Sequence, residues 1–187
     1  MTWVLIAGGV LFLVVSNGAP ARTLLKPFGI SLQTDETSND WTAAAAALAP
    51  WLEQASIVLT PNDLYALYYL DGYDVAVNPN LLSEISDGTE FSLDPRTGHP
   101  VISSAASLRL LMACHPDGLY VADAKTHPFN WPGTEKLNEA IRSQMTPIDL
   151  PAEWRLFAFR WDRLEGTEQP AACASLPPSI AAHLKSK

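Results

Sequence analysis

No run of lysine or arginine in these 187 residues is long enough to make a basic stripe, and acidic residues outnumber basic ones by 20 to 12. The phosphate attraction that drives nucleic-acid binding is therefore missing, and nucleic acid is excluded as a partner. A formal net charge of -8 would also be repelled by anionic headgroups, so attachment to a membrane must come from apolar burial. Cysteine is scarce too. Cys114 and Cys173 fit no metal-ligand spacing and no CxxC or CxxCH pattern, so neither a metal nor a covalent haem is expected. There is no P-loop, no GxGxxG after a strand, no GxSxG elbow and no HExxH. These absences remove each specific argument for a catalytic centre. The expectation is a non-catalytic protein with no cofactor.

What is present begins with an apolar run. Trp3 to Val15 (WVLIAGGVLFLVV) is wholly apolar or glycine, and uncharged flanks extend the stretch to Ala21. At about 1.5 Å of rise per residue it is long enough to cross most of a ~30 Å hydrocarbon core. Trp3 would sit at one interface and Arg22 with Lys26 at the other, with Phe12 inside the apolar span. Gly8 and Gly9 would let another helix approach closely. A secretory signal competes with this reading, because Ala19-Pro20-Ala21 has the small-x-small form of a cleavage site. Pro20 inside that motif, and the lack of Lys or Arg before the apolar run, favour a retained anchor. The alternative is a secreted domain after cleavage.

The expected organisation is an anchor over 1–21, a polar connector over 22–39, an α/β domain over 40–162 and an extended or disordered tail over 163–187. In the domain, Asn39 or Asp40 can cap a helix that places Trp41, Ala45, Leu48 and Leu52 on one face, shortened or kinked by Pro50. Strands are expected at Ser56 to Thr60, Tyr73 to Val77, Pro100 to Ser103, Gly118 to Ala122 and Glu153 to Trp161. Helices are expected at Pro61 to Leu70, Ser104 to Cys114 and Gly133 to Met145. This alternation predicts a small, mostly parallel sheet flanked by helices, a Rossmann-like three-layer arrangement behind one transmembrane helix.

Candidate sites are few. Asp123, Lys125 and His127 follow the fourth strand, so a carboxylate, an amine and an imidazole could converge above the sheet's carboxyl edge, although polar loop residues are more often merely solvated. Thr60-Pro61-Asn62-Asp63 reads as a helix cap, with Thr60 as N-cap and Pro61 in the first turn. His99 and His115 read as turn residues. Tyr65 and Tyr69 share one helix face, as an interface stripe or as core. Phe129 and Trp131, in a loop, are candidates for exposed interface anchors. Cys114 and Cys173 would form one disulfide if the domain lies outside the cytoplasm; otherwise Cys114 is a buried thiol and Cys173 an exposed one.

The segments Asp40-Trp41 with its Ala-rich helix, Ser56 to Thr60, Leu64 to Leu70 (LYALYYL), Tyr73-Asp74-Val75, Gly98 to Ser103 (GHPVIS) and Leu108 to Cys114 (LRLLMAC) together form a pattern. It resembles the extracytoplasmic C-terminal domain of bacterial GT-C membrane glycosyltransferases, the dolichyl-phosphate-mannose mannosyltransferase-like group, over most of Asp40 to Asp162. The resemblance implies a domain that follows a membrane helix on the periplasmic side, whereas Arg22 and Lys26 after the helix point by the positive-inside rule to the cytoplasmic side. That family's catalytic acidic residues lie in loops of a many-helix membrane region with no counterpart here, so glycosyl transfer carries over to no residue. The function expected is an accessory or assembly subunit of an integral membrane protein complex of respiratory, photosynthetic, transport or glycan-building type. Its helix would contact the lipid bilayer and its domain the complex's outer face. The alternative is a sugar-lipid-binding or glycosyltransferase-associated domain.

Overall fold

The computed structural model describes residues 40–78, 91–130, 133–162, 173–174 and 176–184. The expected anchor with Trp3, Gly8, Gly9 and Phe12, the connector, and Trp131 lie outside the described residues. The chain divides into two units, Met1–Ser38 and Asn39–Lys187, and the description below concerns the second. No helix among the described residues is long and apolar enough to cross a membrane.

The domain opens on α1 (Trp41–Gln54), capped by Asp40, whose Oδ1 accepts the Ala43 N–H at 3.0 Å. Alanine-rich sequence favours the helix. Pro50 lies inside it without ending it, on the exposed side where its missing donor is least costly. Then follow β1 (Val58–Thr60), α2 (Asp63–Tyr69), β2 (Val75–Val77), β3 (Phe91–Leu93), β4 (Pro100–Ile102), α3 (Ala105–Cys114) and β5 (Asp117–Asp123). The order closes with α4 (Glu135–Gln144), β6 (Thr146–Ile148), a 3-10 turn (Ala152–Trp154), β7 (Leu156–Asp162) and α5 (Pro178–Leu184).

The strands form one seven-stranded sheet in the order β3-β4-β2-β1-β5-β7-β6. Its centre, β4-β2-β1-β5, is parallel; β3 on one side and the β7-β6 pair on the other run antiparallel to their neighbours. The sheet is therefore mixed and not mostly parallel. The additions β3 and β6 are three residues each and partly exposed, too short to show a period-2 pattern. The last strand begins at Leu156 and not at Glu153, because Arg155 takes a left-handed conformation (φ 54°) and turns the chain out of the preceding 3-10 turn.

Alternate strand residues enter two cores, which is why the central strands read as continuous apolar runs. Leu59, Val75, Val77, Ile102, Tyr120 and Ala122 pack with Leu108, Leu111, Leu137 and Ile141 of α3 and α4. Val58, Ala76, Val101, Leu119 and Val121 pack with Trp41, Ala44, Leu48 and Ala66 of α1 and α2. Helices thus cover both sheet faces. Truncating a fully enclosed residue such as Leu48 or Leu108 to alanine costs about 2–5 kcal/mol at such sites.

The tail is not simply extended. Cys173 is disulfide-bonded to Cys114 at the end of α3, with the Cα atoms 5.4 Å apart. Leu176 packs against the core, and the following helix α5 buries Ile180 and sets Leu184 there too. A few apolar residues suffice here because the crosslink already holds the segment near the core.

Candidate functional site

The chain leaves β1 toward β2 and β4 on one side and returns to β5 on the other, so the carboxyl ends of β1 and β5 flank a topological switch point, where open α/β sheets bind ligands. Thr60 ends β1, and its hydroxyl donates to the Val121 carbonyl at 2.8 Å while accepting the Asn62 N–H at 3.0 Å. Thr60 is therefore a tie between strands and not the helix cap. The N-cap position of α2 is Asn62, whose side chain makes no capping bond. Its Oδ1 instead accepts the Asp123 N–H at 3.0 Å and lies 3.1 Å from the Thr126 hydroxyl.

Asp123 ends β5 and is buried. Its Oδ1 accepts the N–H groups of Lys125 (3.0 Å) and Thr126 (2.9 Å) and the Thr126 hydroxyl (2.8 Å). This is an Asx-type turn, in which a short carboxylate satisfies backbone donors two and three residues on. Lys125 contributes its backbone to that turn, and its side chain is exposed. His127 goes elsewhere. Its ring lies among Tyr120, Phe129, Phe157 and Phe159, at centroid separations of 5.4–6.1 Å, with Nδ1 3.3 Å from the Tyr120 hydroxyl. Burial, with a smaller contribution from Arg142, pushes its pKa down to about 4. Burial also raises the Tyr120 phenol well above its usual range, and the Asp123 carboxylate adds to that. At neutral pH the pair is uncharged, and the neutral imidazole can accept the phenol proton.

The three residues expected to converge thus divide between a backbone turn, solvent and an aromatic box. The signal for this lay in Asp123-Ala-Lys-Thr126, whose Asp-x-x-Thr form after a strand is that of a side-chain-capped turn. The role of Asn62 had no such local signal, since its partner is 61 residues away.

Phe129 is buried at 3% exposure, which corrects its expected role as an exposed anchor. Asn138 of α4 holds its backbone from both sides, accepting its N–H at 3.0 Å and donating to its carbonyl at 2.8 Å, while the Thr134 hydroxyl donates to the same carbonyl at 2.9 Å. With its polar backbone satisfied, the ring can enter the core.

The tyrosines of α2 divide as well. Trp41, Tyr65 and Tyr69 form a mutually stacked cluster with centroid separations of 5.4 to 6.4 Å, with Trp41 fully buried. Leu64 (69% exposed), Tyr65 (49%), Leu67 (43%) and Tyr68 (73%) face outward. Of the seven residues of α2, Ala66 alone is fully buried. His99 stacks on Tyr73 at 4.3 Å and meets His183 of α5 edge-on at 4.9 Å. Burial, then the neighbouring His183, lowers the His99 pKa. His115 is the C-cap of α3, and its carbonyl accepts the Trp161 indole N–H at 3.2 Å. Among the described residues no three His, Cys, Asp or Glu side chains gather as a metal ion would require.

Comparison with protein-family models, curated proteins and solved structures finds no match to this chain.

Proposed function

We propose that this chain is a non-catalytic accessory or assembly subunit of a larger integral membrane complex, anchored by its N-terminal apolar segment, with the domain on the extracytoplasmic face. The outward side of α2 carries the reading. Leu64, Tyr65, Leu67 and Tyr68 place four large apolar or aromatic side chains in solvent on a helix of seven residues. Scattered exposed leucines are ordinary, but a contiguous group backed by a rigid aromatic stack is the composition of a protein contact. Tyrosine supplies contact area there at low conformational cost. The Cys114–Cys173 bridge supports an oxidising compartment for the domain. The polar groups at the β1/β5 switch point are engaged in holding the strands and the turn together, which favours a binding role over a reaction at that edge.

The test is purification of the full chain from its native membranes in a mild detergent, with quantification of every polypeptide that accompanies it. Stoichiometric recovery with one complex is expected, and its loss in a Leu64→Asp, Tyr68→Asp double variant that keeps the wild-type unfolding midpoint. A free monomer from native membranes, or retention of the complex by the double variant, would overturn the proposal.

A further inference from the structure

A cavity of about 510 Å³ opens between the first turns of α3 and α4, whose core lies on the sheet face opposite α2. Ser103 and Ser104, at the carboxyl end of β4, and Arg109 of α3 line it together with Thr134, which precedes α4, and Lys136 of α4. No Asp or Glu is among its lining residues. The neighbouring cavity of about 900 Å³ differs in this respect, since Glu135 and Glu139 there accompany Arg142. The Arg109 and Lys136 side chains are exposed, and among the described residues neither pairs with a carboxylate: the ion pairs belong to Arg96 and Arg160.

Two unpaired cations from different helices therefore border one concave, acid-free space on a chain whose net charge is -8. Acidic side chains are abundant enough to have neutralised them locally, and like charges bordering one cavity attract a counter-anion. The first turns of α3 and α4 also leave backbone N–H groups unmatched within each helix. In α3 the Ser104 hydroxyl accepts one such donor, from Ser107 at 3.1 Å, and the cavity's remaining donors include the Ser103 hydroxyl. Its volume lies within the 300–1,000 Å³ usual for small-ligand sites and exceeds what a lone halide needs. A tetrahedral, multiply charged oxyanion uses two separated cations and hydroxyl donors together, which a carboxylate does less well.

We infer that this cavity binds a phosphate group, carried either by a soluble phosphate compound or by a lipid headgroup. The experiment titrates the full chain, in a neutral detergent at low salt, with inorganic pyrophosphate followed by calorimetry. A second arm uses mixed micelles of the same detergent containing phosphatidic acid or phosphatidylcholine. Saturable binding of pyrophosphate, or of phosphatidic acid in preference to phosphatidylcholine, is expected, and the responding arm identifies the carrier. Affinity should fall about tenfold or more in Arg109→Gln and in Lys136→Gln, hold in Arg142→Gln, and weaken with salt. Lys136→Arg should retain binding and so separates lost charge from lost fold. Absence of saturable binding in both arms, or unchanged affinity in the Arg109→Gln, Lys136→Gln double variant, would overturn the inference. Either result would leave the membrane-subunit reading standing, because α2 is untouched.

Discussion

Mild acid should destabilise this domain, and His127 should carry a large share of the loss. Its pKa lies at about 4 in the folded state and near 6.5 in an unfolded chain, because burial among Tyr120, Phe129, Phe157 and Phe159, with Arg142 adding to it, disfavours the imidazolium. A folded pKa below the unfolded one means that the unfolded chain binds the proton first. Stability is therefore complete above pH 6.5, falls as pH drops toward 4, and levels off below it. The whole change corresponds to about 3 kcal/mol, of which about 2 kcal/mol should be lost between about pH 7.5 and 5.0. Urea unfolding of the full chain in detergent, followed by tryptophan fluorescence at those two values, measures it. His99 is shifted in the same direction, so the deciding quantity is the difference between wild type and His127→Gln. The variant should be less stable at pH 7.5, since it disturbs packing and the Tyr120 contact, yet lose about 2 kcal/mol less on acidification. An equal acid loss in both proteins, or an NMR titration midpoint near 6.5 for His127, would refute the reasoning.

Three further outcomes can be measured by the same unfolding assay. A Cβ on Gly118 would run into the six-membered ring of Trp161, its cross-strand neighbour, so Gly118→Ala should cost about 1–3 kcal/mol through overpacking. Cys173→Ser opens a crosslink spanning 59 residues and should cost about 2–4 kcal/mol, with α5 the first segment to lose amide-exchange protection. Tyr68→Ala, at a side chain 73% exposed, should change stability by less than about 0.5 kcal/mol, so an effect of that variant on complex recovery would belong to the interface.

Legibility followed the distance over which each residue's role is decided. The helices over Ser104 to Cys114 and Gly133 to Met145 and the apolar central strands are local patterns, and the folded elements follow them within a few residues. Thr60 before Pro61 and Asp63 has the local form of a cap, but its hydroxyl donates to the Val121 carbonyl on the adjacent strand. Phe129 was misplaced because a loop aromatic looks exposed until Asn138, nine residues on, satisfies its backbone. Helix α5 has too few apolar residues to announce itself, and it is stable because Cys173 is tied to α3 and Ile180 finds the core.

By itself the sequence determined the α/β class, the main helices and the central strands, because periodicity is a property of residue order. Tertiary structure alone decided the strand order, the antiparallel edges, the enclosure of His127, the engagement of Asp123 in a turn, and the meeting of Arg109 with Lys136 at one cavity. Each of these depends on contacts between segments far apart in the chain. No local pattern encodes such contacts, because their free energy arises only when the two sheet faces close over their cores.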